Sequence, residues 1–171
     1  SAYGCDSDQL RSWAEAEADI VVMGEMDVVS NGLNVVGRDY TGLNAEEEYR
    51  AFVQLISETV NSSPEAGSDW LLCGPMYHRS MMQVGYPATP DGYMDNDFRS
   101  DKHAWQNNMY DVVWMKMQDY VSTYTDENGV SYSADYVYVS ASVLAKVYDV
   151  EVLPCPFEGM QHKPIKLTLK F

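Results

Sequence analysis

Four aspartates lie close together in the middle of this chain, in a segment interrupted by proline and glycine. They are Asp91, Asp95, Asp97 and Asp101, with Asn96 among them. Carboxylates and amides are the ligands that Ca²⁺ prefers, in sets of roughly six to eight oxygens. The segment does not have the register of an EF-hand loop, which needs a glycine at the sixth position and a glutamate at the twelfth. It is therefore either a Ca²⁺ site or a solvated acidic loop with Asx turns.

Residue types suited to zinc or to a cysteine nucleophile also occur, at Cys73, His78, His103 and His162. A catalytic zinc needs three such ligands and an open position, but their spacing matches no zinc signature. Cys73 with His78 or His103 has the composition of a thiolate and its base. Because Cys73 ends the apolar run WLLC, a buried inert thiol is favoured instead.

The same region is rich in methionine and tyrosine, which are common in protein interfaces. The sequence predicts a contact loop for a protein partner, made of Met76, Tyr77, His78, Met81, Met82, Tyr86 and Tyr93. Six more tyrosines lie between Tyr120 and Tyr148. They form either an aromatic binding face or one covered face of a sheet.

Charge and composition limit the classes of partner. The formal net charge of −15 repels nucleic-acid phosphates and anionic membranes, and Lys163, Lys166 and Lys170 form only a weak basic cluster. No apolar run approaches the ~20 residues of a membrane helix. We therefore expect no nucleic-acid partner and no membrane insertion, and a soluble protein located within a particle or outside the cell.

Several motifs are absent from the sequence, which argues against the enzyme classes that depend on them. The chain has no GxGxxG, GxxxxGK[ST] or GxSxG, so nucleotide-binding and α/β-hydrolase folds lose their main support. The three cysteines form no CxxC pair. They are compatible with one Cys73–Cys155 bridge in an exported protein or with three free thiols in a reducing compartment.

The first sixty residues predict two helices and a hairpin. Asp6 or Ser7 caps a helix to about residue 18. Over residues 20–36, β-branched runs flank Asn31-Gly32, a dipeptide that supplies the positive φ values of a type I′ turn. A capping box of Asn44 and Glu47 then begins the second helix.

This second helix runs to residue 60 and carries a regular apolar stripe. The stripe is Tyr49, Phe52, Val53, Ile56 and Val60. Its acidic residues and Arg50 are expected on the outer face; the acids are Glu46, Glu47 and Glu48.

The sequence of the second half of the chain predicts mainly strands. Residues 70–73 predict a buried strand that Gly74-Pro75 ends. Residues 105–120 fit either a helix or a strand, and we favour a strand from Tyr110 onward. Residues 143–153 are rich in valine and add to the C-terminal strands.

A second hairpin and a final strand complete the pattern. Residues 120–125 and 130–139 flank the turn sequence of residues 126–129. Residues 165–171 alternate cleanly between apolar and polar, which predicts a half-buried strand whose lysines discourage edge pairing with another chain.

Together these patterns predict an α+β fold in a single domain over residues 1–171. Its two N-terminal-half helices pack on a mainly antiparallel sheet built from hairpins and C-terminal strands. The hypothesis favoured for function is a non-enzymatic structural or interaction protein, a subunit of a larger assembly such as a virion or phage particle. It has no cofactor and no catalytic residue, and it has protein partners or self-associates. The alternative is a metal-dependent enzyme or a Ca²⁺-assisted ligand-binding module that uses the Asp91–Asp101 loop.

Overall fold

A computed structural model gives the fold. It describes residues 20–22, 27–30, 33–38, 40, 42–60, 69–77, 99–119, 121–155 and 158–170. The helix predicted over residues 6–18 and most of the predicted contact loop lie outside the described residues. None of the helices in the described part has both the length and the apolar character that crossing a membrane requires.

The described elements alternate between strands and short helices. The strands are β1 (Ile20–Val22), β2 (Asp27–Ser30), β3 (Leu33–Gly37), β4 (Trp70–Pro75), β5 (Met109–Asp111), β6 (Tyr124–Thr125), β7 (Ser131–Tyr132), β8 (Asp135–Ser140), β9 (Val147–Val152) and β10 (Ile165–Leu169). The helices are α1 (Ala45–Leu55), which continues as a π-helical turn over Ile56–Val60, α2 (Arg99–Gln106), α3 (Val112–Met117) and α4 (Ala141–Lys146). The predicted α+β class is confirmed.

Most of the described strands belong to two sheets. The larger sheet has the order β2-β3-β4-β8-β5, in which β3 and β4 are parallel and the other neighbours are antiparallel. The smaller sheet has the antiparallel order β1-β10-β9. Strands β6 and β7 pair separately as a hairpin.

Alternating side chains on β4 and β8 cover both faces of the larger sheet. On one face, Cys73 of β4 and Val137 of β8 pack with the smaller sheet and with α3 and α4. On the other face, Leu72, Tyr136 and Tyr138 pack under α1 and α2. We call Tyr40, Phe52, Tyr136 and Tyr138 in this second layer the tyrosine core. The central strands are therefore buried on both faces, as their apolar composition requires.

Local sequence signals explain the elements near the N-terminus. Strands β2 and β3 pair with Ser30 opposite Leu33, as the Asn31-Gly32 signal predicts. Helix α1 has the predicted capping box: Asn44 Oδ1 accepts the Glu47 N–H at 3.0 Å, and the Asn44 N–H bonds Glu47 Oε2 at 3.3 Å. The capping box is confirmed, and so is the hairpin of β2 with β3. Ile20–Val22, predicted as part of the first hairpin arm, instead form β1 and pair with β10.

The position of Glu48 on helix α1 differs from the prediction. The sequence places this residue on the outer face, but it is only 2% exposed. One of its carboxylate oxygens accepts the backbone N–H of Tyr77 at 3.0 Å. The carboxylate is therefore buried because it satisfies a backbone donor at the end of β4.

The strand predicted from Tyr110 onward is wrong beyond Asp111. The carboxylate of Asp111 accepts the N–H groups of Val113 and Trp114, which begins α3 directly after β5. Gln118 then ends α3 with a left-handed φ of 57°. A side-chain cap at Asp111 therefore outweighs the strand preference of the residues that follow.

The second hairpin is confirmed, but its second arm is shorter than predicted. Asp126 Oδ1 accepts the N–H groups of Asn128 and Val130, which closes the turn between β6 and β7. The chain then leaves this hairpin, and β8 joins the larger sheet instead. Residues 143–153, predicted as strand, begin within helix α4 and become strand only at Val147.

The C-terminal strand has the predicted alternation, with Ile165, Leu167 and Leu169 buried. It lies between β1 and β9 rather than at an edge, so its lysines do not protect an edge. Lys166 instead lies 3.7 Å from Glu151 of β9.

Candidate functional site

A histidine and an aspartate are paired where β8 begins. Asp135 is the first residue of β8 and lies opposite Pro75, the last residue of β4. Both Asp135 carboxylate oxygens lie 2.9 Å from Nδ1 of His162. His162 is only 6% exposed, so its imidazole is held in place rather than free in solvent.

The segment that carries His162 is fixed by backbone pairing with the β6 hairpin. The Lys163 N–H bonds the Thr123 carbonyl at 2.7 Å, and the Thr125 N–H bonds the Gln161 carbonyl at 3.0 Å. His162 therefore forms an isolated antiparallel bridge with Tyr124. This pairing brings residues far apart in the sequence together where β4 ends and β8 begins.

The second imidazole nitrogen faces a tyrosine hydroxyl. Nε2 of His162 lies 3.0 Å from the hydroxyl of Tyr77, which follows β4. Because Asp135 is an acceptor, Nδ1 carries a proton and Nε2 of the neutral ring accepts from Tyr77; this tautomer is assigned from the hydrogen-bond network. The result is a continuous chain from Tyr77 through His162 to Asp135.

Aromatic rings surround this chain. The Tyr124 ring centroid lies 4.6 Å from that of His162 and 5.2 Å from that of Tyr77. Burial raises the pKa of Tyr124, and the charges of Asp126, Glu127 and Asp135 raise it further. We call Tyr77, Tyr124, Asp135 and His162 the His162 site.

The His162 site combines the parts of an acid–base centre. An imidazole oriented by a carboxylate can take up and return a proton, and the carboxylate stabilises the imidazolium that forms. Cys155 lies close by, but its thiol donates to the His162 carbonyl at 3.2 Å rather than to the ring. The chemistry available here is therefore proton transfer.

The structure does not bring together the predicted zinc and thiol residues. Cys73 is fully buried in the layer between the two sheets, and His103 lies on α2 against Phe52, where burial lowers its pKa. Cys73 and Cys155 are both free thiols, so no bridge joins them. His162 belongs to the separate site described above, and His78 lies outside the described residues.

Of the four predicted calcium ligands, only Asp101 is described. It lies on α2 and accepts a hydrogen bond from the hydroxyl of Tyr138. Asp91, Asp95 and Asp97 lie outside the described residues. Within the described ranges, no three His, Cys, Asp or Glu side chains form a group that could hold a metal ion.

Of the predicted contact loop, the structure describes Met76 and Tyr77. Met76 is fully buried in the layer under α1, and its N–H bonds the Ala134 carbonyl at 2.7 Å. Tyr77 belongs to the His162 site. The other five residues, His78, Met81, Met82, Tyr86 and Tyr93, lie outside the described part of the chain.

No protein-family model matches the sequence, and no curated protein matches it. Solved structures match the fold. A Neisseria 3′ phosphatase bound to a product DNA hairpin is 13% identical with a TM-score of 0.63, over 84% of this chain and 63% of that chain. The 3′-5′ exonuclease from Neisseria meningitidis is 13% identical with a TM-score of 0.58, over 82% of this chain and 62% of that chain.

An AP endonuclease from Archaeoglobus fulgidus is 15% identical with a TM-score of 0.58, over 88% of this chain and 70% of that chain. The chain shares the fold of these enzymes. It spans 63% and 62% of the lengths of the two Neisseria chains, so it corresponds to part of each. At this low identity the likeness concerns the fold alone.

These matches overturn the favoured functional hypothesis. The matched structures are a 3′ phosphatase, an exonuclease and an AP endonuclease, which contradicts a non-enzymatic structural subunit of a virion or phage particle. The findings support the alternative better, which is a metal-dependent enzyme or a Ca²⁺-assisted ligand-binding module that uses the Asp91–Asp101 loop. Missing motifs do not exclude catalysis, because an acid–base pair needs no contiguous motif.

The expected exclusion of nucleic acid is also wrong, because one matched enzyme is bound to a DNA hairpin. Net charge describes the whole molecule, whereas contact with DNA depends on the field at one surface. A net charge of −15 therefore does not exclude a nucleic-acid substrate.

Sequence reasoning missed Asp135 entirely and considered His162 only as a zinc ligand. The two residues are 27 positions apart, and Tyr77 is 85 positions from His162. No local spacing rule connects residues at these separations. A weak sequence signal for His162 was its place in a polar segment just before the strand predicted over residues 165–171.

Proposed function

We propose that this chain is an enzyme that hydrolyses phosphate esters of DNA and that His162 is its acid–base group. The observation that carries the proposal is the hydrogen-bonded pair of Asp135 and His162 at the start of β8. The fold supports it, because the matched structures are a 3′ phosphatase, a 3′-5′ exonuclease and an AP endonuclease. All of these names denote cleavage of phosphate esters.

The geometry indicates what each residue would contribute. Asp135 holds the Nδ1 proton of His162, so Nε2 is the atom that exchanges a proton during the reaction. Tyr124 packs on the ring and limits its rotation. General acid–base groups of this kind typically contribute about 10²- to 10⁴-fold to the rate.

A resident metal ion is a separate matter. Nucleases and phosphatases commonly use divalent metals as Lewis acids, but the described residues do not fit one, because they contain no group of three suitable ligands. A site formed by Asp91, Asp95, Asp97 and Asp101, which would take Ca²⁺ or Mg²⁺, remains a proposal from the sequence alone.

The metal proposal is tested by thermal unfolding with and without chelator. If the aspartate loop binds a divalent cation, chelation lowers the melting temperature of the wild-type protein. It leaves the Asp95→Asn/Asp97→Asn double variant unchanged. Identical melting temperatures for the wild type with Ca²⁺, Mg²⁺ and chelator would contradict the proposal.

The proposed activity is tested on three DNA substrates in parallel, in Mg²⁺, Mn²⁺ or chelator. The substrates are a hairpin with a 3′ phosphate, a duplex with a recessed 3′ end and a duplex with one abasic site. We expect turnover of at least one substrate by the wild type, and His162→Ala should lower it by about 10²- to 10⁴-fold.

His103→Gln is the matched control, because it removes an imidazole that lies on α2 outside the His162 site. It should retain activity. Absence of turnover by folded wild-type protein on all three substrates contradicts the proposed function. Equal rates for the wild type and His162→Ala would exclude His162 as the acid–base group.

A further inference from the structure

The hydroxyl of Tyr77 occupies the position that a nucleophile takes in a catalytic triad. Such triads place the nucleophile and its base within about 2.6 to 3.2 Å of each other, with the base oriented by a third group. Here Tyr77 lies 3.0 Å from Nε2 of His162, and Asp135 lies 2.9 Å from Nδ1. Both distances meet this requirement.

The direction of the hydrogen bonds is also correct for a nucleophile. Since the Nδ1 proton is donated to Asp135, the Nε2 lone pair faces Tyr77 and accepts its hydroxyl proton. A phenol with an ordinary pKa near 10 is a weak nucleophile at neutral pH. A base that accepts its proton during attack removes this limitation.

Tyr77 is held firmly, yet its side chain is not fully buried. Its N–H donates to the buried carboxylate of Glu48 at 3.0 Å. Its ring packs edge-on against Tyr124 with a centroid separation of 5.2 Å. Tyr77 is half-buried, so part of this residue reaches the surface, whereas Tyr132 is only 1% exposed.

The buried tyrosines of β8 provide an internal contrast. Tyr136 is fully buried, and its hydroxyl donates to the Arg38 carbonyl at 3.5 Å. Tyr138 is 1% exposed and donates to Asp101. These two hydroxyls donate to a backbone carbonyl and to a carboxylate, whereas the hydroxyl of Tyr77 faces an imidazole.

We infer that Tyr77 is the nucleophile of the His162 site and that it forms a transient tyrosyl phosphoester with the substrate. This inference rests on the proposed function and names a catalytic residue for it. In the first half-reaction, the Tyr77 oxygen forms a bond to phosphorus and its proton passes to Nε2 of His162. The bond between phosphorus and the leaving oxygen breaks, and that oxygen takes a proton from solvent.

In the second half-reaction, water attacks phosphorus and loses one proton to solvent. The bond between phosphorus and the Tyr77 oxygen breaks, and His162 returns its proton to that oxygen. Asp135 stabilises the imidazolium between the two steps. The net reaction consumes one water and releases an alcohol and a phosphate, with no other reactant.

The stereochemical course at phosphorus tests this inference directly. Two in-line displacements retain the configuration, whereas a single attack by water inverts it. The probe is a DNA strand with one phosphorothioate linkage of defined configuration at the cleaved position, hydrolysed in heavy-oxygen water. Retention is the expected result, and inversion would overturn the inference while leaving the proposed function standing.

A variant pair provides the second measurement. Tyr77→Phe keeps the ring but removes the nucleophilic oxygen, and it should lower turnover by about 10²-fold or more. Tyr148→Phe is the matched control, because Tyr148 is 67% exposed on β9 and lies under Lys170. It should retain wild-type turnover.

Rapid quenching with excess wild-type enzyme should leave a phosphoryl adduct on the tryptic peptide of residues 51–79, whose single tyrosine is Tyr77. This measurement also decides the matter if Tyr77→Phe fails to fold. Full turnover by Tyr77→Phe overturns the inference but not the proposed function. A wild-type protein that turns over no substrate overturns both.

Discussion

The His162 site and the tyrosine core are both built from aromatic residues, but their environments differ. In the His162 site, Tyr77 and Tyr124 are half-buried and contact an imidazole that is paired with Asp135. A proton can move along this chain of groups. The site lies where β4 ends and β8 begins, and the hairpin β6-β7 pairs there with the segment before β10.

The tyrosine core is formed by Phe52 of helix α1 and the tyrosines packed against it. Phe52 is fully buried and its ring centroid lies 5.2 Å from that of Tyr138 and 6.0 Å from that of Tyr136. Burial raises the pKa of Tyr136 well above its ordinary value and that of Tyr40 to about 12. These hydroxyls stay protonated at neutral pH. Both rings contribute packing, and the Tyr136 hydroxyl donates to the Arg38 carbonyl.

The difference shows that tyrosine content alone does not identify a binding face. Of the six tyrosines between Tyr120 and Tyr148, Tyr132, Tyr136 and Tyr138 are buried. The ring of Tyr124 packs against the imidazole of His162, and Tyr148 is mostly exposed. What a phenol can do depends on the group that faces its oxygen and on how much of it water reaches.

Gly74→Ala should disrupt both regions and have the largest effect. Gly74 has φ of +148°, and a Cβ there would lie 1.9 Å from the Arg38 carbonyl oxygen. That oxygen also accepts from Tyr136, and the backbone after Gly74 leads to Tyr77. We expect a loss of more than about 4 kcal/mol in the free energy of unfolding, measured by urea denaturation. A stable, active Gly74→Ala protein would contradict this account of the β3–β4 contact.

Phe52→Ala should damage the tyrosine core and spare the His162 site. Removing a fully buried phenylalanine typically costs about 3 to 5 kcal/mol of stability. Turnover per folded molecule should change little, because Phe52 does not belong to the His162 site. Denaturant melts and active-site titration separate the two quantities. A large loss of turnover without a loss of stability would show that the two regions are coupled.

Alkaline pH should act through the buried tyrosines. Because the pKa of Tyr40 is about 12 in the folded protein and near 10 when unfolded, its protonated form favours folding. This stability is fully present below pH 10 and is lost as the pH rises to about 12, by roughly 2 to 3 kcal/mol. Tyr40→Phe should therefore lose less stability than the wild type between these pH values. Parallel stability curves for the two proteins would argue against the raised pKa.

Asn44→Ala should have the smallest effect on stability and should weaken both regions slightly. Asn44 caps α1, which presents Glu48 to Tyr77 and Phe52 to the tyrosine core. Loss of such a cap typically costs about 0.5 to 2 kcal/mol. Thermal unfolding gives the change, and Asn44→Asp, which keeps an acceptor, should recover most of it. Failure of Asn44→Asp to recover stability would mean that the cap is not the cause.

The predictions from sequence that succeed rest on interactions between close neighbours in the chain. The capping box of Asn44 and Glu47 spans three residues, and the hairpin β2-β3 follows from a two-residue turn signal. Strand β10 shows the alternation that one buried face imposes. These signals fall within a few residues, so no tertiary contact is needed to interpret them.

The failures have two physical causes. At Asp111 a local cap was present, but the apolar residues after it fit a strand equally well, and helix α3 was missed. The other failures are non-local. Parallel pairing of β3 with β4 and the passage of the chain from β7 to β8 depend on which sheet accepts each strand.

The sequence by itself determined the α+β class, the start of helix α1 and the alternation of the last strand, because short-range hydrogen bonds and side-chain periodicity decide these features. Only the tertiary structure decided that Tyr77, Asp135 and His162 form one site. Their meeting depends on the register of β4 with β8 and of β6 with the His162 segment. A shift of one residue in either pairing would turn these side chains to the opposite face.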